Sequence, residues 1–321
     1  MSPYWGANFF EFFSVFFSRL IRADFSPVAT DEVQIGVLSA VAISCALLGP
    51  FLVLKRMAMF ANSLSHTILL GIATAGFLLG GDALFDLSHL LLAALVAALA
   101  TAFLTEVLIK FFRLQEDASI GLVFTSLFAL GIVLVTLFTR DLHLGIESVM
   151  GNADALAPSD LSLSLLLVAI NGSVIFLFFR HFQIASFDRN LAQTLGIPGG
   201  VFHFLLLFLA AATCIGAFRA VGVLLVLAFL VGPYLTARLF CHRLKHLLVW
   251  SALLGVGASI FGVALARHLL STYGWPLSTG GLVACSIGLF YLVGVAVRKI
   301  YLFTRAPRSG IVEPDLINKH V

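Results

Sequence analysis

Long apolar runs separated by short polar punctuation fill most of the chain. The runs are continuous rather than alternating, so they predict membrane-crossing helices and not the strands of a barrel. A hydrocarbon core of roughly 30 Å needs about 20 apolar residues at 1.5 Å of rise each. On that measure nine spans are expected, at 33–54, 57–79, 87–112, 118–138, 161–179, 201–218, 220–240, 246–270 and 279–301. The third is long enough to tilt. The expected fold class is all-α: a polytopic membrane helical bundle of about nine transmembrane helices.

Lys and Arg set the orientation. Fourteen of the 19 fall on one side, among them Lys55, Arg56, Lys110, Arg180, Arg189, Arg243 and Lys245. The other side holds five: Arg19, Arg22, Arg140, Arg219 and Arg267. The richer side is cytoplasmic, which puts the C-terminus inside and the segment before residue 33 outside. That segment contains "YWGANFFEFFSVFFSRLIRADF" (4–25). It reads either as a tenth span or as an aromatic amphipathic helix lying in the outer interface. Glu11 and Arg19 interrupt a barely sufficient apolar length, which favours the interfacial reading. The chain then divides into an N-terminal interfacial segment (1–32), a transmembrane domain (33–304) and a cytoplasmic tail (305–321).

Composition agrees. The 321 residues are 60% hydrophobic and 11% charged, against about 25% charged in soluble domains. Cys45, Cys214, Cys241 and Cys285 lie in separate apolar runs without a CxxC pair, so neither a disulfide framework nor a zinc knuckle is expected. The net charge of +3 is too small to point to nucleic acid. No cleavable signal peptide is evident: Glu11 breaks the first apolar run and no A-x-A site follows. No G-x-x-x-x-G-K-[ST] occurs, so the chain does not cradle ATP by that route.

The polar residues inside the spans are candidates for function. "FANSLSHTILLG" (60–71) places Asn62 and His66 four apart, on one helix face. With a helix start near Met57, His66 lies about 14 Å deep, close to the bilayer midplane. Ionisable groups there normally face protein or water. Neutral imidazole is a good ligand for zinc, manganese or iron ions, and an amide oxygen assists. Bonding to a neighbouring helix satisfies the same groups. Glu106 and Lys110, also four apart, read as an intrahelical ion pair near the cytoplasmic end. Ten of the 16 carboxylates fall on the outer side, as a solvated rim or as a means of concentrating cations at an entrance. Arg219 sits in a tight turn between two spans at the outer mouth, as a snorkelling anchor or a docking residue.

"SFDRNLAQTLGIP" (186–198) lies inside by the charge count. It reads as a short helix, capped by Asp188, with Leu191, Ala192 and Leu195 on one face and ended by Gly196 and Pro198. Such a helix lies on the membrane surface or seats in a groove of a soluble partner.

Several of these blocks together resemble the bacterial metal-ion ABC permeases, the membrane subunits of zinc, manganese and iron importers. "FLVLKRMAMFANSLSHTILLGIA" (51–73) is similar to the family's second-helix signature. "EDASIGLVFTSLFALGIVLV" (116–135), "MGNADALAPSDL" (150–161), "SFDRNLAQTLGIP" and "RAVGVLLVLAFLVGPYLTARLF" (219–240) resemble its later blocks, in order. The likeness runs from about 33 to 301. It implies an architecture shared with ABC importers of the cobalamin and metal-chelate type. It implies a transporter subunit that is not itself an enzyme and holds no tight cofactor, its cargo being a divalent metal ion. The implied setting is multi-pass in the bacterial inner membrane. The implied partners are cytoplasmic ABC ATPase subunits, a periplasmic metal-binding protein, membrane lipid and a second permease subunit, the same or related.

The family usually carries Asp and His four apart on this helix as a cation site. His66 matches the His; Asn62 stands at the Asp position and removes a hard anionic ligand. A second, different subunit is one source of the Asp. Leu70 is a further departure, where the family commonly has Pro. The resemblance also implies that Asp188, Leu191, Ala192, Leu195 and Gly196 form an ATPase-coupling helix. Arg140, Arg219 and Arg267 are the candidates for the outer gate or for docking of the binding protein. Two alternatives compete: an iron-chelate or cobalamin permease, which gains nothing from a His in its pathway, and an ion-coupled secondary transporter, which often shows internal repeats. Topology reporters placed within 186–198 and at Val321 should read cytoplasmic, and one within 141–160 should read external; an external C-terminus overturns the layout.

Overall fold

The computed structural model describes residues 4, 8–22, 29–79, 87–138, 151–187 and 189–305. Those residues form helices joined by short connections: α1 (Phe9–Arg22), α2 (Thr30–Leu54), α3 (Ala58–Leu79), α4 (Leu87–Phe111), α5 (Glu116–Phe138), α6 (Pro158–Phe187), α7 (Arg189–Thr194), α8 (Gly199–Val221), α9 (Val223–Arg238), α10 (Leu244–Tyr273) and α11 (Thr279–Arg305). Among the described residues, seven helices are long and apolar enough to cross a membrane, namely α2, α4, α5, α6, α8, α10 and α11. Helix α9 is apolar but shorter, 16 residues, because Gly222 with φ +83° breaks the 220–240 run between α8 and α9.

Helix α6 runs on to Phe187, past the expected end at 179. Apolar length alone sets the expectation. Nothing in "RHFQIASF" stops a helix, so the chain stays helical with Arg180, His181 and Gln183 exposed beyond the last apolar turn. A local departure at Phe178 (φ −107°, ψ 20°) marks the change. Helix α1 is 14 residues long, about 21 Å by helical rise.

Helix α2 is the hub. It packs against α6, α8, α9 and α10, and most of its side chains are buried. A second group, α3, α4 and α5, packs together and joins the first where α3 and α4 meet α8. Helix α11 lies on α9 and α10, and α1 on α10. Without a hydrophobic drive between helices in lipid, close approach through small residues carries the packing. A Cβ on Gly49 of α2 would lie 2.1 Å from the Leu230 carbonyl oxygen of α9. The Gly255 position of α10 likewise rests on Ala42 of α2, and Gly262 on Val283 of α11.

The N-terminal end of α2 is pinned by charge. Asp31, 3% exposed, accepts from Arg267 Nε of α10 at 2.9 Å, and from its second guanidinium nitrogen. Next to it, Glu32 pairs with Arg19 of α1 at 2.6 Å. Glu32 also accepts from the Tyr4 hydroxyl at 2.9 Å. Burial and this carboxylate push the Tyr4 phenol up from its ordinary value.

Substituting Gly49→Ala should cost about 1–3 kcal/mol by overpacking, seen as a lower melting midpoint of the detergent-solubilised protein. Gly288→Ala, whose Cβ meets nothing within 4 Å, should leave it unchanged.

Candidate functional site

The Asn62–His66 face lies on α3, eight residues from its start at Ala58 to His66, or about 12 Å along the axis. Both side chains are half-buried. The imidazole lies against two rings of α5, stacked on Phe124 at 5.5 Å and edge-on to Phe128 at 5.3 Å between centroids. These rings, four apart on α5, flank the imidazole. The neighbouring hydroxyls bond their own helix: Ser63 donates to the Phe60 carbonyl at 2.8 Å and Thr67 to that of Leu64 at 3.2 Å. Among the described residues, no three His, Cys, Asp or Glu side chains converge as a metal cage. The face itself carries one imidazole, of His66, and one amide, of Asn62.

Helix α7 is a single short helix between the two long helices α6 and α8. Gly196, with φ +70°, closes it. The Ile197 N–H reaches back to the Ala192 carbonyl at 2.9 Å, and the Gly196 N–H to that of Gln193 at 3.1 Å. The expected shared face is divided: Ala192 is 1% exposed and turned into the protein, whereas Leu191 and Leu195 are 47% and 57% exposed. Asp188 lies outside the described residues.

Beside α7 opens a cavity of about 640 Å³, lined by Ala192, Lys55, Arg56, Glu106, Lys110 and His203 among others. The expected Glu106–Lys110 pair is present at 2.6 Å. His203 joins it, with Nε2 2.8 Å from Glu106 Oε2 and Nδ1 3.1 Å from Lys55 Nζ. His203 has only apolar and glycine neighbours in sequence; its polar partners belong to segments far away in the chain.

At the opposite end of α6 and α8, the "GNADALAPSD" block is a joint. The Gly151 N–H donates to the Phe218 carbonyl at 3.0 Å, and a Cβ there would meet the Arg219 carbonyl at 2.2 Å. The Asp154 carboxylate accepts from the Thr279 N–H at 3.0 Å, starting α11. Asp160 accepts from the Ala157 N–H at 2.9 Å at the head of α6 and pairs with Arg219 at 3.5 Å. Asp31, Glu32, Asp154 and Asp160 thus have partners within the chain, which accounts for them without a cation-gathering rim. Arg219 and Arg267 also engage acidic residues of this chain, so docking through either requires exchange of that partner. Arg140 lies outside the described residues.

An all-helical bundle with a buried hub, a half-buried histidine at membrane depth and a bracket helix on its basic side defines a multi-pass membrane transport subunit. The chain belongs to the ABC 3 transport family, which matches residues 32–298. It is 42% identical over 301 residues to a probable metal transport system membrane protein of Chlamydia muridarum, covering 91% of this chain and 93% of that one. It is 34% identical over 289 residues to the manganese transport system membrane protein MntD of Bacillus subtilis, covering 86% and 92%. Among solved structures it is similar to PsaBC from Streptococcus pneumoniae in complex with Fab. That likeness has a TM-score of 0.69 at 26% identity and covers 87% of this chain and 96% of that chain.

Proposed function

We propose that this chain is the membrane permease subunit of an ATP-driven ABC importer. It moves a divalent metal ion, manganese, zinc or iron, from a periplasmic binding protein into the cytoplasm. The observation that carries the reading is the extent of the family match, which runs through the bundle from the start of α2 to within α11. Relatives named for manganese, zinc and chelated iron define the cargo class.

In this reading nine helices cross the bilayer: the seven long ones together with α3, 22 residues, and the shorter α9. Helix α1 lies in the outer interface, where its 14 residues fall short of a roughly 30 Å core and Phe10, Phe17 and Ile21 are exposed to lipid. Residues 1–32 are then an interfacial segment, 33–304 the permease domain and 305–321 a cytoplasmic tail. His66, assisted by Asn62, contacts the ion in passage. A second permease subunit, the same or related, completes the ligand set that one chain leaves open. Leu191 and Leu195 seat α7 in the ATPase, on a separate polypeptide, with Asp188 and Gly196 framing the helix and Ala192 seating it on the permease. Arg140, Arg219 and Arg267 stand at the outer mouth, where the binding protein docks.

Coexpressed with its ATPase, the Leu191→Asp/Leu195→Asp double variant should yield permease that no longer co-purifies with ATPase; an intact complex removes the α7 assignment. In the assembled complex, His66→Ala should lower uptake of radiolabelled manganese, zinc and iron by roughly tenfold or more through loss of a ligand, with assembly unchanged. Asn62→Asp should be tolerated and alter which metal competes best, since a hard anionic ligand is added. Wild-type uptake of all three metals by His66→Ala would reduce this polar face to helix packing.

A further inference from the structure

The family match and the transport reading leave the polar chain above the cytoplasmic cavity without a role. It has a defined direction. An ammonium group has donors only, so Lys55 donates to Nδ1 of His203. The proton of the neutral imidazole is then on Nε2, which donates to Glu106 Oε2 at 2.8 Å. Lys110 donates to the other carboxylate oxygen at 2.6 Å. Glu106 and His203 side chains are only 14% and 17% exposed, so each link is a charge-assisted bond in a partly desolvated setting, stronger and more exacting in geometry than an exposed one.

The residues so linked sit at the joints of the fold. Lys55 follows the last residue of α2, and its neighbour Arg56 holds φ +60°, a left-handed conformation rare for a side chain other than glycine. The turn is braced by the Met57 N–H donating to the Leu52 carbonyl at 2.8 Å. It leads directly into α3, which carries Asn62 and His66. His203 is in the second turn of α8, and only 195–198 separate α8 from α7. The Ile197–Ala192 bond makes that connection short and stiff. Glu106 is near the end of α4. Displacement of α7 therefore moves the start of α8, and His203 with it, relative to both the α2–α3 turn and α4. The cavity between these elements, lined by Ala192 and Gly200 as well as by the polar chain, leaves room for that movement. Apolar contacts slide under small displacements, whereas hydrogen bonds weaken steeply with distance and angle. A chain of them behaves as a latch with made and broken states.

We propose that Lys55, His203 and Glu106 form a cytoplasmic latch through which movement of α7 is passed to the α2–α3 turn, making His203 a positioning residue for transport. The proposal rests on the importer reading above. The test uses the permease with its partner ATPase in liposomes, measuring radiolabelled metal imported per ATP hydrolysed, with the metal that the wild type carries. His203→Leu fills the site without either bond and should lower that ratio about tenfold, the order of one to two lost bonds to charged groups. In His203→Gln, the amide oxygen accepts from Lys55 while the amide nitrogen donates to Glu106, so most of the loss should return. Lys55→Met removes the donor from the α2–α3 turn at similar length and should resemble His203→Leu; it is read in its place if that variant does not assemble. A wild-type ratio in His203→Leu or, failing assembly, in Lys55→Met overturns the latch, as does a His203→Gln complex as deficient as the loss variant. A wild-type complex that imports no metal removes the importer reading and the latch with it, whereas an indifferent His203 variant of an active importer removes the latch alone.

Discussion

Helix α2 is enclosed by four other helices, and that enclosure is possible only because parts of its surface are bare backbone. At Gly49 the Leu230 carbonyl of α9 comes so near that a methyl group would collide with it. Lipid offers no solvent-exclusion force between helices, so contact area and close approach carry the cohesion. The crossing of α2 and α9 in turn fixes where α10 and α6 meet α2, and where α8 can stand between the two groups of helices.

Polar bonds then fix both ends of that packed middle. Outside, Asp31 and Glu32 at the head of α2 are taken by arginines from α10 and α1. The Asp154 and Asp160 carboxylates receive the first amide of α11 and the amide just before α6. Inside, Glu106 and His203 connect α4, α8 and the turn after α2. Buried charges without partners are costly. These pairs therefore select one register of the helices, where apolar surfaces alone would tolerate several.

The bundle leaves its functional groups in an unequal state. Asn62 and His66 stand on a helix whose neighbour α5 is largely exposed along its other side, and two neutral donors make a poor cage for a divalent ion. At α7, Leu191 and Leu195 likewise face outward, and Ala192 is seated on the chain's own body.

The amino-acid order by itself determined the class and most of the helices. Continuous apolar length is a local quantity, read without knowing what touches what. It also determined the Asn62–His66 face, the Glu106–Lys110 pair and the short helix before Gly196, because each lies within one or two helical turns. Only the tertiary structure decided that Ala192 turns inward from its leucine neighbours and that Asp31 belongs to Arg267. It also decided that "GNADALAPSD" is a joint, and that His203 bridges Lys55 and Glu106. Those partners are separated by up to 236 positions. Periodicity carries no trace of such pairings, since they depend on which helix lies beside which, and that is settled by close packing at positions such as Gly49 and Gly262 rather than by any pattern within one segment.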